Sequence, residues 1–236
     1  RQLHGRLAGR SIVEAVLLRS GREKPVGKKF VAALRGKKII AVERRAKLLL
    51  FRLSKGTVLH GHLKMTGKFL FVPEEYQSAK HDRLVLVLDN RLRVVWSDVR
   101  QFGYLHILED ATSKNILEAY GPEPLYASIT QLADRLHTPS TRTIKAALLD
   151  QATIAGIGNI YADEACHRAG IRPTRRLQAL TSADRLRLAK EIKKVLQSSV
   201  DRQGTSSDDY RDAHGQRGSF QNLLRVYGRA GKPCKK

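Results

Sequence analysis

Sulfur, tryptophan and negative charge are all in short supply in this 236-residue chain, which has two cysteines, one methionine, one tryptophan and half as many acidic as basic side chains. Each shortage excludes something. Cys166 and Cys234 stand far apart and in no paired motif, so they read as reduced thiols rather than as a disulfide framework. No apolar run approaches the ~20 residues that span a bilayer, and no apolar segment followed by a small-residue cleavage site marks a signal peptide. An intracellular protein is therefore expected. What is present is positive charge: 44 Lys and Arg against 22 Asp and Glu give a net +22, and a folded chain this basic usually meets a polyanion. That it folds follows from its 42% hydrophobic content. Nucleic acid is the first candidate partner and an anionic membrane the second; no strongly amphipathic basic helix with bulky aromatics favours the membrane, and none is expected as a partner.

Residues 10 to 110 alternate apolar and charged side chains in short runs between turns, which predicts strands over Ser11 to Arg19, Lys38 to Arg44, Leu48 to Leu53, Thr57 to Leu63, Gly67 to Val72, Arg83 to Leu88, Arg91 to Ser97 and Gly103 to Leu108. Ser54-Lys55-Gly56 and Asp89-Asn90 have hairpin-turn chemistry. One short helix, Gly27 to Leu34, interrupts the strands. Such spacing suggests an antiparallel sandwich or barrel. Gly121-Pro122-Glu123-Pro124-Leu125 can be neither helix nor central strand and marks a boundary. Helical patterns follow over Ser128 to Leu136, Thr141 to Leu149, Asn159 to Ala169 and Ser182 to Val200. In the last, Leu186, Ala189, Ile192, Val195 and Ser199 should pack inward, leaving Arg185, Arg187, Lys190, Lys193 and Lys194 as a solvated face. Gly204 to Gly218 reads as a mobile loop or lid, and Leu223 to Val226 could open a short hairpin. The fold class expected is α+β: an N-terminal antiparallel β-sandwich over 1–110, a linker over 111–127, a helical domain over 128–217, and a short C-terminal hairpin beginning in 218–236. Arg1 lacks both an initiator Met and a helix cap, and the chain closes on Pro233-Cys234-Lys235-Lys236 in mid-loop, so both ends are expected to be cut.

Between two of the helical runs lies Ala155-Gly156-Ile157-Gly158-Asn159. Two glycines followed by Asn at a helix start leave backbone N–H groups unpaired beside the positive end of a helix dipole, a phosphate-sized anion site. Taken alone, Asn159 could equally be an ordinary N-cap.

This stretch, with Leu149-Asp150-Gln151 before it and Arg168-Ala169-Gly170-Ile171-Arg172-Pro173 after it, closely resembles the helix-two-turn-helix of the formamidopyrimidine-DNA glycosylase family. Arg44-Arg45-Ala46-Lys47, His62-Leu63-Lys64-Met65-Thr66-Gly67, Asp98-Val99-Arg100-Gln101-Phe102-Gly103, Gly121 to Leu125 and Val226 to Cys234 fall in family order, so the resemblance covers nearly the whole chain. It implies a DNA repair enzyme, probing duplex DNA as a monomer, that excises 8-oxoguanine and formamidopyrimidines and then nicks the strand through a Schiff base and successive eliminations. A sandwich and a helical domain would flank a DNA cleft. Such an enzyme must take its base out of the stack, which calls for phosphate clamps, a filler for the vacated space and a nucleophile.

By resemblance, His81, Arg100, Lys145, Gly158 and Asn159 contact DNA; where the family has a further basic residue this chain has Ser140, with Arg142 nearby. Met65, Arg100 and Phe102 match the trio inserted into the gap: a flexible apolar chain, a hydrogen-bonding guanidinium and a stacking ring suit that task, although a lone Met or Phe is more often core. Lys47 matches the family's lysine beside the scissile phosphodiester; without the resemblance it is a surface lysine on a strand. Tyr210, Arg211, His214, Gly215, Gln216 and Arg217 match the loop that caps the flipped base. The family's nucleophile, an N-terminal proline amine with a neighbouring Glu for proton transfer, is not in this sequence. Cys234 matches the first ligand of a four-cysteine zinc hairpin; one cysteine cannot hold zinc, so no cofactor is demonstrable here and one zinc ion is expected only if the chain continues. His60 and His62 share a strand face, but His62 fits the family's strand without an ion. The endonuclease VIII branch, which prefers oxidised pyrimidines, and a non-catalytic damaged-DNA-binding module are the rival readings.

Overall fold

A computed structural model describes residues 2–18, 27–206 and 211–234. Two compact units emerge: Arg1–Ile116 with Ser206–Gly218, and Leu117–Thr205 with Ser219–Lys236. In the first unit the strands are β1 (Ile12–Leu17), β2 (Ile39–Arg45), β3 (Leu48–Leu53), β4 (Thr57–His62), β5 (Lys68–Val72), β6 (Asp82–Leu88), β7 (Arg93–Ser97) and β8 (Tyr104–Glu109), each within two residues of its expected ends. They form two antiparallel sheets, ordered β1-β6-β7-β5 and β2-β3-β4-β8. Strand spacing alone suits a sandwich or a barrel; the two separate sheets are those of the expected sandwich. Its core joins Phe51, Leu59, Leu84, Leu86, Val94 and Trp96 with Leu7 of α1 (Gln2–Leu7) and Leu34 of α2 (Lys28–Leu34). Phe51 of one sheet meets Phe69 of the other with ring centroids 5.2 Å apart, the contact by which aligned sheets bury their inner faces.

The expected linker is partly helical, because α3 (Asp110–Glu118) begins at its edge. Asp110 in its first turn favours the dipole and pairs with Lys114 one turn on at 2.8 Å. Residues 121–125 are neither helix nor strand, as their prolines require.

In the second unit α4 (Ile129–Arg135), α5 (Ile144–Leu149), α6 (Asn159–Ala169) and α7 (Ser182–Asp201) pack around Leu132, Ile144, Leu148, Ile157, Ala162, Leu188, Ile192, Val195 and Phe220. Capping boxes start α4 (Ser128 with Gln131) and α7 (Thr181 with Asp184), and Gly170 closes α6 in the left-handed region at φ 68°. In α7 the inward stripe is Leu188, Ala189, Ile192, Val195 and Ser199, whereas Leu186 is 45% exposed; the expected stripe was misplaced at its first position. Four of the five side chains on the basic face of α7 are tied down. Arg187 donates to Ala169 O at 2.7 Å, Lys194 pairs with Glu191 at 2.8 Å, Arg185 donates to Leu180 O at 2.9 Å and Lys193 donates to Ala127 O.

Two expectations about the C-terminal third are corrected. Residues 219–234 contain a 3₁₀ turn at Phe220–Leu223 and no strand among the described residues, so the hairpin is not formed there. The N–H groups of Arg225, Val226 and Tyr227 instead all donate to the carboxylate of Glu164, at 2.9–3.0 Å. Ser206–Gly218, assigned with the helices by sequence, groups with the sandwich.

Candidate nucleic-acid interface

In the helical unit the glycine-bearing loop is braced from behind by one side chain. Gln151 accepts the Gly156 N–H with Oε1 at 2.8 Å and donates from Nε2 to Ile157 O at 3.1 Å and Leu149 O at 2.9 Å. Gly156 lies at φ 87°, where a side chain would be strained. The N-cap of α6 is Gly158, not Asn159, which is the first helical residue; the plain N-cap reading of Asn159 is therefore set aside. The first donor into the helix is Ala162 N–H, bonded to Gly158 O at 2.9 Å, so the N–H groups of Asn159, Ile160 and Tyr161 precede the ladder. No acidic residue stands in this first turn, and Asn159 is exposed. Lys145 on α5 is held at 2.9 Å by Asp163, which is one helical turn beyond Asn159 on the same face. Arg142 is likewise engaged, by Asp150 at 2.8 Å and Ser140 Oγ at 3.3 Å. Both cations are aimed, and both would have to share or exchange a carboxylate to reach phosphate.

The sandwich carries the remaining expected residues on turns. Met65 is 64% exposed and Phe102 37%, with the Arg100 guanidinium over the Phe102 ring, 4.8 Å from its centroid. Met65 sits between β4 and β5, and Arg100 and Phe102 between β7 and β8, yet a buried bond from Thr66 Oγ1 to Asp98 Oδ1 brings the two turns together. Arg100 N–H donates to the same Thr66 oxygen at 2.9 Å, Gly103 N–H to Asp98 Oδ2 at 2.8 Å, and Asp98 N–H to His81 O at 2.9 Å. The expected His81, Met65, Arg100 and Phe102 are thus one cluster. Neither Thr66 nor Asp98 was singled out by sequence, since a pair 32 residues apart has no spacing signal.

Lys47 lies not on a strand but in the two-residue turn joining β2 to β3, after Ala46 at φ 53°. Its side chain reaches solvent, yet the protein around the amine desolvates it and, with the charge of Lys64, lowers its pKa below the ordinary lysine range. Burial first, and then Lys64, Lys47 and His60, push His62 down to about 4; its Nδ1 accepts the Lys64 N–H at 2.9 Å. The ammonium groups of Lys47 and Lys64, beside a His62 ring that is neutral above about pH 4, form a site ready for an anion. The sign for stability follows: between about 6.5 and 4 the unfolded chain takes up the His62 proton and the folded chain does not, so stability falls as pH drops through that window. Lys64→Ala should raise the titration midpoints of both His62 and Lys47, measured by NMR of the imidazole and the lysine side chain; unchanged midpoints would show that the charge of Lys64 reaches neither.

Of the expected capping loop, Tyr210 lies outside the described residues. The described remainder, 211–218, is hydrogen-bonded to the sandwich. Asp212, 8% exposed, accepts the N–H groups of His214 and Gln216 at 2.9 and 2.8 Å and the Nε2 of Gln2 at 2.8 Å. Phe71 N–H donates to Ala213 O at 3.1 Å, and the His214 ring packs 5.5 Å from that of Phe71. Gly215 forms the turn at φ 79°, with Arg211, Gln216 and Arg217 around it. Beside this loop is a cavity of about 220 Å³, lined in part by Gln2, Leu3, Glu43, Arg44, Arg211 and Asp212.

Metal chemistry finds no support in the residues present. Cys234 Sγ lies 3.6 Å from His167 Nε2, but among the described residues no group of three potential ligands could hold an ion. Zinc takes about four, so these residues do not fit it. Among the described residues His60 and His62 gather no third ligand. No helix among the described residues is long and apolar enough to cross a membrane.

Comparison with known proteins agrees with this geometry. A family model described as the formamidopyrimidine-DNA glycosylase N-terminal domain matches residues 1–105, and one described as the H2TH domain of the same protein matches residues 120–211. A formamidopyrimidine-DNA glycosylase of Desulfitobacterium hafniense is 44% identical over 212 residues, covering 88% of this chain and 77% of that protein. Among solved structures, a complex of Lactococcus lactis Fpg with an abasic site containing DNA is 32% identical with a TM-score of 0.89, covering 100% of this chain and 88% of that one. A mutant of the same protein bound to a Fapy-dG containing DNA has 31% identity, a TM-score of 0.89 and the same coverage.

Proposed function

The chain belongs to the formamidopyrimidine-DNA glycosylase family, and from that premise we propose that it excises oxidised purines from duplex DNA inside the cell and cleaves the strand at the resulting abasic site. The observation that carries this reading is the chain's single methionine, 64% exposed on a turn beside the Arg100–Phe102 stack. A flexible apolar side chain held out on a turn suits the space a flipped base vacates. Phe102 then wedges beside the neighbouring base and Arg100 bonds the orphaned partner base.

The backbone is held at two places. The unpaired N–H groups of Asn159, Ile160 and Tyr161, with the Asn159 side chain, receive one phosphate at the positive end of α6. Lys145 and Arg142 add charge there once phosphate competes with Asp163 and Asp150. Lys47, with Lys64 close by, holds the phosphodiester to be cut; a bound anion would return its depressed pKa toward the ordinary value. The cavity beside Asp212 and Gln2 takes the flipped base, under the turn of Arg211 to Arg217.

The attacking group of the family is the secondary amine of an N-terminal proline, which forms a Schiff base with the sugar; it is not among these 236 residues, and no side chain here is assigned to that step. Zinc would need about three ligands besides Cys234, and no step depends on it. The test is covalent trapping: a chain with proline at its N-terminus, verified by mass spectrometry, is incubated with an 8-oxoguanine:cytosine duplex and borohydride. A trapped adduct is expected. Its absence would refute the proposal, and faster trapping on oxidised pyrimidines would move the chain to the endonuclease VIII branch.

A further inference from the structure

We propose that Thr66 and Asp98 are positioning residues that hold Met65, Arg100 and Phe102 as one rigid wedge, so that discrimination of a lesion depends on the buried hydroxyl of Thr66. The inference rests on the gap-filling reading of those three side chains and adds how they are kept in register.

A wedge entering a base stack must present its parts together, because a side chain that must first be ordered loses binding free energy to that ordering. Here the parts come from two separate turns, β4 to β5 and β7 to β8, each crossing from one sheet to the other. Thr66 is 6% exposed and Asp98 1%. The Thr66 hydroxyl uses both of its capacities: it donates to Asp98 Oδ1 and accepts the N–H of Arg100 at 2.9 Å. The second carboxylate oxygen of Asp98 accepts Gly103 N–H at 2.8 Å, closing the turn on the far side of Phe102. The Asp98 backbone is fixed in turn, its N–H by His81 O at 2.9 Å and its carbonyl by Arg83 at 3.0 and 3.3 Å.

Backbone strain points to the same network. Lys64 at φ 52° and Gln101 at φ 61° are non-glycine residues in the left-handed region, and each immediately precedes a wedge residue, Met65 or Phe102. Such conformations persist only where surrounding structure over-determines them. At Gly67, which closes the Met65 turn by donating to Leu63 O at 3.0 Å, an added Cβ would lie 2.5 Å from that same oxygen. Only a hydroxyl on a short side chain can donate and accept at the centre of this junction; valine has the same shape and does neither.

The test measures affinity at one fixed salt concentration for a duplex holding a tetrahydrofuran abasic analogue and for the same duplex intact. Thr66→Val should lower the lesion-to-intact affinity ratio about tenfold, which is 1.4 kcal/mol, with intact-duplex affinity held within about twofold. Thr66→Ser should restore the ratio, and Thr66→Val combined with Met65→Ala should be no worse than the poorer single variant. Should Thr66→Val not fold, Thr66→Ala measured below its melting temperature carries the same expectation. A wild-type ratio in Thr66→Val alongside a lowered ratio in Met65→Ala would overturn the positioning role alone. A wild-type ratio in Met65→Ala would overturn the gap-filling reading and this inference with it. Equal losses on both duplexes would reduce Thr66 to a merely structural residue and overturn the proposal as well.

Discussion

Glu164→Ala is expected to lower stability by about 3–5 kcal/mol, the cost of leaving three backbone donors without their acceptor, at the low end of roughly 1–3 kcal/mol each. Glu164 is fully buried on α6, and its carboxylate accepts the N–H groups of Arg225, Val226 and Tyr227, at 2.9–3.0 Å. The cost stays at the low end because residues 225–227 lie near enough to the surface for water to recover part of it. For a chain of this length the melting temperature should fall by roughly 6–20 °C. Glu164→Gln keeps the shape and one acceptor oxygen, turns an amide donor toward the nest, and should fall between alanine and wild type. Scanning calorimetry decides the matter: an alanine variant melting within a degree or two of wild type would mean that this carboxylate does not hold the C-terminal segment. Because Glu164 and Asn159 share one helix, affinity should fall for damaged and intact duplex alike.

Gly121→Ala should cost about 3 kcal/mol, at the upper end of overpacking. A Cβ at this position would lie 2.6 Å from both Ala152 O and Thr153 O, and backbone carbonyls cannot swing away as a side-chain tip can. The site also matters for what it braces. Gly121 N–H donates to Gln151 O at 2.9 Å and Ala155 N–H to Pro122 O at 3.0 Å, so the connector lies against the loop that leads to Asn159. Displacing it should weaken DNA binding as well as lower the melting temperature by roughly 6–12 °C. Gly5→Ala is the control of opposite sign. It lies in α1 with nothing within 4 Å of an added Cβ, and removing helical glycine should stabilise by about 0.5–1 kcal/mol. Destabilisation by both substitutions would show that glycine content, rather than the close approach at Gly121, sets the result.

The sequence by itself determined the strands and all the α-helices but α3. Alternation along β1 to β8, the turn residues Lys55 and Gly56 at φ 61° and 62°, and the cap residues Ser128, Thr143, Thr181 and Gly170 act over a few residues, so their spacing is visible in the chain. The same holds for the anion loop, where Gly156, Gly158 and Asn159 are neighbours. Where the reading failed, the competing force was distant. Leu223 to Val226 has the composition of a hairpin, but its end is drawn to Glu164, some sixty residues away. Residues 211–218 have the composition of a loop, and the bond between Asp212 and Gln2, over two hundred residues apart, ties them to the sandwich unit.

The tertiary structure alone decided which side chains act together. It exposed Met65, set the Arg100 guanidinium over Phe102, joined their two turns through Thr66 and Asp98, and brought Lys64 close enough to Lys47 and His62 for its charge, added to burial, to lower their affinity for protons. Hydrogen bonds and Coulomb interactions act over a few ångströms in space whatever the separation along the chain. Local propensity could therefore announce the turns and helices that carry the site, while only the folded arrangement could say which of their residues meet.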